Sequence, residues 1–75
     1  MNKSDAVSAH IGQTFYHKSA INADGSARRV RVSGKCKTWK TRPTEFSLPV
    51  KFGLYTSLRI NHETCEDFLT EDPGR

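Results

Sequence analysis

Residues 46–60 read FSLPVKFGLYTSLRI, and their parity decides the fold. The even positions Phe46, Leu48, Val50, Phe52, Leu54, Leu58 and Ile60 are apolar, while the odd ones run Ser47, Pro49, Lys51, Gly53, Tyr55, Ser57 and Arg59. A period of two is the mark of a half-buried strand, because successive side chains point to opposite faces of a sheet. Pro49 has no N–H to give a ladder, which argues for an edge position or a place outside the sheet. Gly53 is a natural bend, so the run divides into two strands, the second from about Leu54 to Ile60, sharing one apolar face.

Upstream, residues 13–21 and 27–32 have the composition of strands, separated by Asn22-Ala-Asp-Gly-Ser26, where Asp24-Gly25 is a strong reversal signal. A second reversal is expected at Ser33-Gly34. Turns every eight to twelve residues predict a mainly β protein, a small antiparallel meander or SH3-like barrel. One short C-terminal helix is expected over about 62–69: Asn61 can cap it, Glu63 suits its first turn, and Cys65, Phe68 and Leu69 recur at helical spacing. Residues 10–69 form the single domain of this reading, with a flexible N-terminus over 1–9 and a flexible acidic tail over 70–75.

A chain of 75 residues with 35% apolar side chains can build only a thin core, which disfavours an enclosed catalytic pocket. No apolar run approaches the roughly 20 residues of a membrane-spanning helix, and MNKSDAVSAH lacks the apolar stretch of a secretory signal. A cytoplasmic protein is therefore expected, with no membrane partner. In that reducing setting the two cysteines, Cys36 and Cys65, are expected to be free thiols.

The net charge of +4 is unevenly spread. Residues 17–59 carry ten cations against Asp24 and Glu45, whereas residues 60–75 carry five carboxylates against Arg75. The densest segment is RRVRVSGKCKTWKTR, residues 28–42, with seven cations and no acid. Val30 and Val32 share one face and Arg29 and Arg31 the other. If Ser33-Gly34 were a strict two-residue turn, Lys35 and Lys37 would face the core opposite the valines. One bulged residue near Lys35 would instead put Arg29, Arg31, Lys37 and Trp39 on the outer face, and this register is favoured because it buries no ammonium group. Whether Trp39 belongs to the core or to that surface stays open, since a local twist could turn it inward.

Arginine and lysine closely spaced on a sheet face can neutralise phosphates, and an aromatic ring among them can stack on an unpaired base. The candidate nucleic-acid-binding residues are Arg29, Arg31, Lys37, Trp39, Lys40 and Arg42, with DNA or RNA as partner. A purely structural account competes with this, because exposed strands carry Lys and Arg to blunt edge-to-edge aggregation. Gly34-Lys-Cys-Lys-Thr-Trp39 is similar to the first strand of a cold-shock domain, yet the Gly-Phe-rich strand that should follow is absent. The RNA-recognition-motif aromatic strand, a GXXG loop and a zinc-finger spacing are absent too. His17, Cys36, His62 and Cys65 are of zinc-binding type but form no paired CxxC cluster, so no metal or cofactor is expected. His62 and Cys65 lack an orienting partner for a nucleophile, so neither catalysis nor a small-molecule substrate is expected.

Gly34-Lys-Cys-Lys-Thr-Trp-Lys40, then Pro49-Val-Lys-Phe-Gly-Leu54 and a capped acidic helix from Asn61, resembles small accessory proteins encoded by tailed bacteriophages and prophages. The likeness spans roughly residues 24–69. It implies an accessory role in a bacterial host's cytoplasm and supplies no catalytic residues. An alternative to nucleic-acid binding is then a protein-interaction module that docks on a host bacterial protein through the acidic helix and tail or the Tyr55-bearing strand.

Overall fold

The computed structural model describes residues 1–74. Along the chain these form α1 (Lys3–Ser8), β1 (Thr14–Ile21), β2 (Ala27–Val32), β3 (Lys37–Trp39), β4 (Arg42–Phe52), β5 (Thr56–Asn61), a 3-10 turn (Cys65–Asp67) and β6 (Phe68–Leu69). The protein is mainly β, a single antiparallel sheet ordered β3-β4-β2-β1-β6, with β5 also paired to β4. The sheet does not close. In the described pairings β5 meets only β4 and β6 only β1, so no SH3-like barrel forms. A two-residue β6 is too short to carry a closing ladder.

The parity of the opening stretch holds through the sheet. Leu48 pairs with Ile60, Val50 with both Leu58 and Val32, and Phe15 with Val30. Phe15, Val30, Val32, Phe46, Leu48, Val50 and Ile60 are buried on the inner face, each contributing roughly 1.5–3 kcal/mol of apolar burial. Phe52 is only half-buried and Leu58 is 44% exposed, because the inner face opens at that end. Leu54 and Tyr55, expected to begin the second strand, instead form its turn, and Gly53 takes φ +70° there.

Ser33-Gly34 is not a hairpin. β2 and β3 both pair with the same side of β4, one after the other: Arg31 faces Lys51 and Val32 faces Val50, then Lys37 faces Ser47 and Thr38 faces Phe46. Six steps from Arg31 to Lys37 lie against four from Lys51 to Ser47, an excess of two residues. An even insertion preserves parity, so Arg29, Arg31 and Lys37 share the outer face although both expected registers assumed a β2–β3 pair. The interruption also explains Pro49, which lies in a central strand rather than on an edge. Its carbonyl accepts from the Ser33 N–H at 3.0 Å, so its own nitrogen points to the same side, at the break where no partner is needed. A Cβ at Gly34 would lie 3.0 Å from Pro49 Cγ, so the ring occupies the space a side chain would fill.

Both ends depart from expectation. The flexible N-terminus expected over residues 1–9 holds α1, with a capping box between Asn2 and Asp5 and a buried Ala6 in the core cluster. Met1 and Ala9 pack on the same cluster, and Lys3 donates to the Pro43 carbonyl, which ties α1 to β4. At the other end, the Asn61 Oδ1 accepts from the N–H groups of Glu63 and Thr64, closing the turn that precedes the 3-10 segment, while the cap position itself is Thr64, which makes no side-chain cap bond. The expected helix over 62–69 is reduced to one 3-10 turn, Cys65–Asp67, after which the backbone becomes extended at Phe68. Phe68 and Leu69 pair instead with His17 and Tyr16 on β1. Residues 70–74 of the expected acidic tail are exposed, and Arg75 lies outside the described residues. No helix among the described residues is long and apolar enough to cross a membrane.

Candidate nucleic-acid interface

Alternation places every second residue of β2 and β4 on the outer face. Arg31 stands directly across from Lys51, with Arg29 two positions along β2, about 6.6 Å away at strand rise. Together with Thr14, Ser33, Gly53 and Leu54, these three cations line a groove of about 470 Å³. None of the three lies within ion-pair distance of a carboxylate among the described residues. Like charges directly opposite one another on a sheet are unfavourable to folding.

Trp39 organises a second group at the β3–β4 turn. A bulge between Thr38 and Trp39 brings Trp39 opposite Arg42, leaving its ring half-buried and outside the core cluster. The Arg42 guanidinium lies 4.8 Å from the ring centroid and the Lys37 ammonium 5.7 Å, both within cation–π range. Arg42 also pairs with Glu45, Nε to Oε2 at 3.0 Å, and Glu45 Oε1 stands 3.6 Å from His62 Nε2. Glu45 Oε2 is buried and makes no aligned hydrogen bond, so its contact with Arg42 is electrostatic. Lys40 is exposed in the two-residue turn between Trp39 and Arg42.

The six candidate residues therefore fall into two sets. Arg29 and Arg31 belong to the groove, while Lys37, Trp39, Lys40 and Arg42 cluster around the indole. Two cations were missed: Lys51, which completes the groove, and Arg59, exposed on the same face of β5 and donating to the Ser47 hydroxyl. Their signal was the odd parity of FSLPVKFGLYTSLRI, which marks the outer face as clearly as the even parity marks the core.

No protein-family model, curated protein or solved structure matches the chain. The site must be read from its own residues. The edge-protection account of the basic strip does not cover Arg31 and Lys51, which sit where β2 and β4 are each paired on both sides, whereas Arg29 lies beyond the β2–β4 pairing on a stretch of β2 paired to β1 alone. It serves for Arg59 on β5, an edge strand. The four side chains of zinc-binding type are dispersed: Cys65 Sγ donates to the His62 carbonyl, Cys36 Sγ to the Lys37 carbonyl, and His17 Nδ1 accepts the Ala20 N–H at 2.9 Å. Among the described residues no three His, Cys, Asp or Glu side chains converge as a metal would require. Both thiols are free, and partial burial pushes the Cys36 thiol above its ordinary value.

Proposed function

We propose that the protein is a non-catalytic nucleic-acid-binding module, weakly sequence-specific, that meets the phosphates of DNA or RNA with the outer face of its sheet. The observation that carries this reading is the groove: Arg31 and Lys51 oppose one another across interior strands, Arg29 stands beside them, and among the described residues no carboxylate comes within ion-pair distance of the three. A cross-strand like-charge pair is a cost to the fold, and such local conflicts concentrate at functional sites. A polyanion resolves the conflict, gaining affinity from released counterions. Contacts to phosphate carry no sequence information directly, so discrimination between sequences is weak. The resemblance to phage accessory proteins extends the proposal to a bacterial host's cytoplasm.

Three phosphate contacts on duplex DNA correspond to a slope of about −2.7 in log affinity against log salt. Fluorescence anisotropy at a series of salt concentrations measures it. Replacing Arg29 and Arg31 by Ala flattens the slope by about two and weakens all sequences alike. Absence of binding at low salt, where attraction is least screened, transfers the proposal to the second reading.

That second reading is an interaction module for a host bacterial protein. It draws on the open end of the inner face, where His17, Ala20, Phe52, Leu58 and Phe68 line a largely apolar cleft of about 340 Å³, with the Arg28 guanidinium 4.9 Å from the Phe52 ring.

A further inference from the structure

The turn between β4 and β5 carries side chains that neither the turn nor the core requires. Reversals favour Gly, Asn, Asp and Ser, and here only Gly53, at φ +70°, serves the backbone. Leu54 and Tyr55 follow it, 82% and 94% exposed, and neither joins the core cluster. The turn is closed by the Phe52–Thr56 pair, so the two side chains project from a defined hairpin tip. Leu54 also lines the groove that holds Arg29, Arg31 and Lys51. The groove thus has a cationic side and an apolar rim.

We infer that this groove takes a single-stranded nucleic acid, its phosphates on Arg29, Arg31 and Lys51 and its bases against Leu54 and Tyr55. The inference rests on the nucleic-acid reading above and names the form of the ligand. Phosphate contacts alone do not distinguish a strand from a duplex. An aliphatic side chain and a phenol ring do, because they need the flat face of a base, and paired bases hide those faces in the stack. Trp39 is less suited to this role, since Lys37 and Arg42 already lie against its ring. Tyr55 has no such neighbour among the described ring contacts.

The test uses a labelled oligodeoxythymidine strand and a mixed-sequence duplex of equal length, both at low salt. Wild type binds the strand more tightly than the duplex. The double variant Leu54→Ser, Tyr55→Ser lowers strand affinity by at least about fivefold more than duplex affinity and melts as wild type does, since both side chains are exposed. In a Trp39→Phe background, Tyr55→Trp supplies a single indole whose emission the saturating strand quenches. Wild-type strand affinity in the double variant, equal or tighter binding of the duplex by wild type, or unquenched emission at saturation would overturn the tip's role while leaving the basic face intact. Failure of wild type to bind either probe would overturn both.

Discussion

On β2, Arg29 and Arg31 alternate with Val30 and Val32, and the two faces answer to opposite demands. The valines meet Phe15 and Val50 across the ladder and are buried. The arginines, one residue away, meet Tyr16 and Lys51; no carboxylate among the described residues comes within ion-pair distance of either, and a longer-range attraction joins Arg29 to Asp24. The buried positions of the inner face serve stability, whereas the outer face accepts a repulsive pair that stability would not select. Separating the two faces by mutation is therefore the way to break this account.

The largest effect belongs to the inner face. Leu48→Ala, at a fully buried position on the central strand, costs about 3 kcal/mol or more, a large share of the roughly 5–15 kcal/mol that holds a domain folded. Arg31→Ala, across the sheet, stays within about 0.5 kcal/mol of wild type. Thermal melts followed by circular dichroism compare the two. A substantial loss from Arg31→Ala would mean that the outer face is structural after all.

A middle-sized effect probes the joint that keeps the faces in phase. Gly34→Ala forces a contact with the Pro49 ring and costs about 1 kcal/mol, at the low end of overpacking penalties. In the Pro49→Ala background the same substitution costs less, and the difference is the coupling read by a double-mutant cycle. Equal costs in both backgrounds would show that the ring does not occupy the break between β2 and β3.

The smallest effects come from pH. Hydrogen bonds from the Ser26 side chain and backbone N–H hold Asp24 below its ordinary value of 3.8. A depressed carboxylate pKa means stability present above the unfolded value and lost as pH falls through the folded one. Asp24→Asn therefore flattens the melting profile slightly below about pH 4 and changes nothing near neutrality. Cys36 has the opposite sign. Desolvation raises its thiol above 9.0, so it alkylates slowly at neutral pH, and its contribution to stability fades only as pH climbs past that value.

How much of this was legible follows from the physics of each signal. Parity is local, so Ala27–Val32 and the face shared by Phe46, Leu48, Val50 and Ile60 could be read directly. Pairing partners are not local. Two strands in line along β4 leave the same alternation as a hairpin, which is why Ser33-Gly34 misled while the outward aim of Arg29, Arg31 and Lys37 survived. The first helix commits one core residue, Ala6, too little for a periodic signal, although Asn2 and Asp5 stand at capping-box spacing. At the C-terminus, Phe68 and Leu69 fit a helix or a strand equally well, and the open edge of β1 decided. Lys51 was visible as an outer-face residue, but only its pairing with Arg31 revealed a site.

The central claim is that the charge of β2 and Lys51, rather than charge anywhere in the basic segment, meets the ligand. Side-chain Nε–Hε resonances of arginine test it most directly, in a titration with an unlabelled oligodeoxythymidine strand. The account predicts that the Arg29 and Arg31 signals shift together and saturate, while those of Arg28, against Phe52, and Arg42, against Glu45 and Trp39, stay in place. Movement of Arg28 and Arg42 with Arg29 and Arg31 unmoved, or no movement of any, would contradict it.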